Sequence, residues 1–178
     1  MDRPWKVFER KVARELGTTR RLRKGTDDKA DIGDDNYPLC VDAKQGKNIS
    51  PRARYMELKH FAQSITIPIE SDIRPKEPVL VYRRPGKHRV YVFVGADYLC
   101  KILYQIGQVD SFRWYDLRKV KRWNFEIWFE QAIQIAQDKI PGVRFVDDKT
   151  ENWMAIIELH IFASALKAAG IIKAEDTI

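Results

Sequence analysis

Apolar positions change their spacing several times along the chain, and each spacing predicts an element. Residues 4–16, PWKVFERKVAREL, carry Trp5, Phe8, Val12 and Leu16 at helical intervals, with Pro4 at the start and Gly17 just past the end. Glu9 falls inside that stripe, where a carboxylate is costly unless it is paired or meets a cation. Residues 18–24 read as a short basic strand, 25–29 as a polar loop, Ala30–Gly33 as a brief strand and 34–36 as a turn. Leu39–Gln45 alternates, with Leu39, Val41 and Ala43 on one face and Cys40, Asp42 and Lys44 on the other. Ser50 then caps a helix from Pro51 to about Ile65. Its apolar face holds Tyr55, Leu58, Phe61, Ala62 and Ile65, and Arg52, Lys59 and Gln63 form a polar stripe.

Pro78–Arg84 and His88–Val94 read as strands joined by the turn RRPGKH, and a short helix follows over Ala96–Ile106. Helix, three strands, helix and two strands imply an α/β or α+β sheet domain. Residues 111–123, SFRWYDLRKVKRW, interleave basic and aromatic side chains. A helix is expected at 124–138, with Phe125, Trp128, Phe129, Ala132 and Ala136 on one stripe. Another is expected at 150–169, apolar nearly all round and ended by Gly170, with PGVRFVDD as a short strand between the two. The chain therefore divides into a core over 1–108 and a helical C-terminal extension over 109–178. The extension would pack on the core or at a dimer interface, for which the helix at 150–169 is the candidate.

Composition narrows the class. The 178 residues are 44% apolar and include eight Phe, seven Tyr and five Trp, enough for a sizeable core and unlike a disordered chain. Lys and Arg exceed Asp and Glu by 32 to 25, a net charge of +7 that favours polyanionic partners, nucleic acid first. Cys40 and Cys100 belong to no CxxC or CxxH pair, and His60, His88 and His160 share no ligand spacing, which argues against zinc and for a reduced, cytoplasmic setting. The start, MDRPWKVFERKV, has no apolar signal-peptide core. The longest apolar stretch is broken by Glu158, His160 and Lys167, so it reads as a buried helix rather than a membrane span. No glycine-rich phosphate loop is present.

Candidate chemistry gathers around one strand. Asp42 and Lys44 share a face at i, i+2, Asp31 sits on the preceding short strand, and Glu9 lies on the inward stripe of the helix that should cover them. Hydrolysis of a phosphodiester needs neutralisation at a crowded anionic phosphorus, which carboxylates achieve by holding Mg²⁺. A lysine beside them can orient or deprotonate the attacking water, or stabilise developing charge.

Helical Glu9, then Asp31 within Ala30-Asp31-Ile32, then Asp42-Ala43-Lys44 on a strand followed by a helix resembles the PD-(D/E)xK nuclease superfamily. The spacings resemble those of its archaeal-type Holliday-junction resolvases. Ala30 stands where the motif's name places proline, and Asp42 is the shorter of the two permitted acids. The resemblance spans roughly residues 5–95 and leaves 110–178 unmatched. It implies a restriction-endonuclease-like αβββαβ core and a Mg²⁺-dependent DNA endonuclease in which Mn²⁺ can substitute. Asp31, Asp42 and the Ala43 carbonyl would hold the metal, Glu9 would serve a second metal or its water, and Lys44 would serve the attacking water. Products would carry 5′-phosphate and 3′-hydroxyl ends. A branched DNA substrate, cut by a C2 homodimer, is the implied role.

Arg20, Arg21, Arg23 and Lys24 before the motif, and Lys47, Arg52 and Lys59 after it, are candidate DNA-backbone contacts. Thr26, Asp27 and Asp28 lie near enough to line the same site. Arg113, Trp114, Arg118, Lys119, Lys121 and Arg122 make a second basic, aromatic patch suited to unpaired bases, or a set of buried rings with basic neighbours. Two rival readings remain: a non-catalytic nucleic-acid-binding module, and a partner-binding subunit whose last third is an assembly element.

Overall fold

The computed structural model describes residues 1–21, 29–69 and 72–173. Candidates Arg23, Lys24, Thr26, Asp27 and Asp28 lie outside the described residues.

α1 (Pro4–Glu15) opens with proline at its first turn and stops before Gly17, whose φ of 67° suits a residue without Cβ. It buries Phe8, Glu9, Val12 and Leu16 but leaves Trp5 at the rim. β1 (Leu39–Gln45) is followed by α2 (Pro51–Ala62), where the Ser50 hydroxyl accepts from the Ala53 amide at 3.3 Å. The helix ends three residues short of the expected limit. The run Ile65–Ile69 is rich in β-branched residues and contains Pro68, which cannot continue a helix. It forms β2 (Thr66–Ile69), paired antiparallel with β3 (Asp72–Pro75).

β4 (Glu77–Arg83) and β5 (Tyr91–Gly95) form the expected hairpin, and α3 (Ala96–Gln105) follows at the expected place. β6 (Phe112–Val120), α4 (Phe125–Ala136), β7 (Ile140–Asp147), β8 (Trp153–Glu158) and α5 (Leu159–Ala168) complete the chain. The six-stranded mixed sheet runs β1-β4-β5-β8-β7-β6. β1/β4 and β6/β7 are parallel; the other neighbours are antiparallel. α1, α3 and α5 pack on one face around Val41, Val79, Val92 and Ala155. α2 and α4 cover the other, over Leu80, Phe93, Phe145 and Ile156. The protein is therefore an α/β three-layer structure.

The last third departs from the sequence reading. Residues 153–158 form β8, not the first turns of a helix, and β8 pairs with β5 on one side and β7 on the other. A strand covered on both faces is a continuous apolar run without alternation, so its pattern cannot be told from that of a buried helix. The expected extension at 109–178 is thus not merely helical: it supplies β6, β7 and β8 to the same sheet as β1, β4 and β5. Helix α5 spends its apolar face inside its own chain, burying Leu159, Phe162, Ala163, Ala165 and Leu166. Outward it presents His160, Ser164 and Ala168.

Neither Cys40 nor Cys100 takes part in a disulfide. Among the described residues no helix is long and apolar enough to cross a membrane.

Candidate active site

β1 is an edge strand, and its outer edge organises the site. Two isolated antiparallel bridges, Arg20 with Ile32 and Ile32 with Val41, lay a narrow meander beside it. The Asp31 amide donates to the Val41 carbonyl at 2.8 Å, and the Arg21 amide donates to the Asp31 carbonyl at 2.8 Å. Asp31 is thereby fixed on both sides of its backbone. Its carboxylate accepts from the Ala43 amide at 3.3 Å and from the Lys44 ammonium at 2.9 Å. Lys44 Nζ also lies 2.8 Å from Asp42 Oδ1. In a strand the amide and carbonyl of one residue leave from the same edge, so the Ala43 carbonyl points out on the side of Asp31.

Glu9 reaches this edge from α1 and pairs with the Arg20 guanidinium. The structure thus brings three of the four predicted catalytic residues, Glu9, Asp31 and Lys44, into the wall of one cleft of about 600 Å³, with Ala43 and Gln45 beside them. Asp42, the fourth, does not line the cleft but lies 2.8 Å from Lys44, which does. Glu9, Asp31 and Asp42 are 5%, 4% and 4% exposed, a dense set of buried carboxylates.

Their protonation follows from this crowding. Burial raises Asp42 well above the usual carboxylate range; its hydrogen bond to Asp31 and that residue's charge add to the rise, and Lys44 opposes it. Burial likewise raises Glu9, against the pull of Arg20. For Lys44 burial acts to lower the pKa, but Asp42 and Asp31 outweigh it and hold the amine above its ordinary value. Lys44 is therefore an ammonium here: a hydrogen-bond donor and a charge, not a free base.

Asp42 Oδ1 is buried with the Lys44 ammonium 2.8 Å away as its close partner. A buried carboxylate oxygen, a second carboxylate and an edge carbonyl are hard oxygen donors of the kind Mg²⁺ takes. Asp31, Asp42 and Ala43 fit such an ion in chemistry. Among the described residues no group of three or more His, Cys, Asp or Glu side chains is arranged to hold a metal, and Glu9 is occupied by Arg20.

The candidate backbone contacts divide. Arg20 and Arg21 line the cleft; Arg21 also donates to Asp35 at 2.9 Å. Lys47 is exposed in the turn after β1. Arg52 points elsewhere, donating to both oxygens of fully buried Asp147 at 2.7 and 3.0 Å. Lys59 lines a different cleft, with Glu77 and Tyr98. Seven residues bring a helix back to nearly the same face, so Arg52 and Lys59 share a stripe that turns away from β1.

Arg54 occupies the cleft instead, and the sequence reading missed it. Trp5, expected on the apolar stripe of α1, is 39% exposed at the rim, with the Arg20 guanidinium 5.5 Å from its ring. A basic residue on each of two faces of α2 was visible in the sequence, but not which face meets the site.

No protein-family model matches the chain, no curated protein is significantly similar to it, and no solved structure matches it. The site rests on its own chemistry.

Proposed function

We propose that the protein is a metal-dependent DNA endonuclease with a restriction-endonuclease-like core. The observation that carries this reading is Lys44, held 2.9 Å from Asp31 and 2.8 Å from Asp42 at the open edge of the sheet. The order α1, bridge, bridge, β1, α2, β4, with β1 and β4 parallel, is compatible with an αβββαβ core in which the first two strands have shrunk to single bridges.

Asp31 and Asp42, with the Ala43 carbonyl, would hold Mg²⁺. A bound Mg²⁺ neutralises phosphate charge and acidifies a coordinated water. Lys44, kept charged, donates to the attacking water or to a phosphate oxygen and fixes its position. Glu9, its pKa raised by burial, is suited to take up or give a proton within the cleft, and Arg20 orients it. Arg20, Arg21 and Arg54 offer guanidinium groups to the phosphates on either side of the scissile bond. A branched substrate and a homodimer belong to this proposal through the spacing of the motif alone.

One observation favours a second reading. Lys44 bridging two carboxylates and Arg20 capping Glu9 also describe a self-neutralised ion network in a nucleic-acid-binding module. Cleavage of a four-way junction, a flap, a nicked duplex and a linear duplex, each with Mg²⁺ and with EDTA, separates the two. Metal-dependent cutting of any of them supports the nuclease, and symmetric nicking of the junction supports a resolvase. DNA binding that is indifferent to EDTA, with no cutting of any substrate, supports the binding module.

A further inference from the structure

The sheet's other edge carries different chemistry. β6 is the outermost strand there, and Arg113, Asp116, Arg118 and Lys119 are exposed along it. Its pairing with β7 shifts between Leu117 and Val120, and Lys119 adopts a φ of 40°. Such a bulge re-aims side chains at an edge, and a non-glycine residue in this conformation is strained. Arg113, Arg118, Lys119, Lys121 and Arg122 form no ion pair among the described residues. The one acid on the strand, Asp116, is taken by Arg144 at 2.8 and 3.0 Å. The result is an uncompensated basic ridge.

Alternation sets Trp114, Asp116 and Arg118 on the sheet face that carries α3, together with Arg144 of β7 and Trp153 of β8. A groove of about 360 Å³ lies there, lined by Arg118, Arg144 and Trp153, with Asp97 and Cys100 of α3 on its wall. Trp114 is already engaged: its ring stacks on Phe112 at 5.1 Å and lies under the Arg144 guanidinium at 4.8 Å. Trp153 is 45% exposed and enters no ring stack among the described residues.

We propose that this groove and the β6 ridge bind a single-stranded segment of nucleic acid, with Trp153 stacking on an unpaired base and the ridge neutralising the flanking phosphates. An indole face accepts a base only when that base is free of its own stack, which selects single strand over duplex. β1 and β6 are the two ends of the sheet, and five strand spacings of about 4.8 Å put them roughly 24 Å apart. The surface is therefore separate from the β1 cleft and does not depend on its chemistry.

The test is fluorescence anisotropy of a labelled oligothymidylate of about 20 nucleotides against the full chain in EDTA, over a range of salt. Trp153→Ala is expected to weaken binding roughly five- to hundredfold, and Trp153→Tyr to retain it. Replacing Arg118, Lys121 and Arg122 together by Ala should lower the slope of log affinity against log salt by about 2. A duplex of the same length should bind more weakly and ignore Trp153. Unchanged affinity in a folded Trp153→Ala variant overturns the proposal, as does an unchanged slope in the triple variant. If Trp153→Ala fails to fold, Trp153→Leu, which keeps bulk but has no aromatic face, decides in the same way together with the triple variant.

Discussion

Replacing Asp42 by Asn should make the protein more stable while destroying the activity proposed for it. Asp42 is 4% exposed, hydrogen-bonded to a second buried carboxylate, and shares a single ammonium, Lys44, with it. An asparagine at this position keeps the volume, can donate an amide N–H to Asp31, and leaves the 2.9 Å Lys44–Asp31 pair in place. Removing one of two crowded carboxylates should gain about 1–2 kcal/mol at neutral pH, in the range of relieved active-site strain. For a chain of this length that raises the melting temperature by roughly 2–8 °C.

The pH dependence carries the sign. Asp42 is raised in the folded state, whereas an unfolded Asp titrates near about 3.9. The folded protein therefore binds a proton that the unfolded chain has released, and its stability falls as pH rises from about 4 through the folded pKa. The amide of the variant has no such proton. The gain of Asp42→Asn over wild type should be greatest near pH 8 and shrink toward pH 5, in calorimetric melts with EDTA. An Asp42→Asn protein that melts below wild type at pH 8, or a difference independent of pH, would show that the carboxylate is a structural partner of Lys44 and refute the reasoning.

Lys44→Met strands Asp31 and Asp42 without their cation and should cost about 3–5 kcal/mol near pH 8, less at pH 5 where a proton can replace the ammonium; chemical denaturation at both pH values measures it. Asp147→Ala releases Arg52, the Trp123 indole and the Lys149 and Thr150 amides, and should cost a similar amount. Burial works to raise the Asp147 pKa, but those donors hold it below the usual carboxylate range. The stability it contributes is thus present above about pH 4 and lost as pH falls further, which acid titration of wild type against Asp147→Ala reveals. Arg54→Ala should reduce the salt slope of DNA binding by about 0.9, the loss of one phosphate contact, while Lys59→Ala leaves it unchanged.

The sequence carried the site better than the sheet. Asp42 and Lys44 were legible because two-residue periodicity places them on one face wherever β1 pairs, and Glu9 because a carboxylate in an apolar helical stripe demands a partner. Asp31 joins them through backbone bonds to Val41 that local pattern does not encode, and its place came from the motif. β8 was invisible as a strand because its four central residues, Met154–Ile157, are all buried, and no alternation distinguishes them from the helix that follows. The turning of Arg52 toward Asp147 depends on a partner 95 positions away, and such long-range pairing leaves no local signature.

The most direct test of the central claim is single-turnover cleavage of labelled DNA by wild type and Asp42→Asn, with Mg²⁺ and with EDTA, on protein whose folding is verified by its melting curve. Cleavage by wild type with Mg²⁺ alone, and none by an Asp42→Asn protein that melts at or above the wild-type temperature, is the result expected of a metal-dependent nuclease. Equal cleavage by the two proteins, or cleavage that survives EDTA, would contradict the assignment of this carboxylate cluster as the catalytic centre.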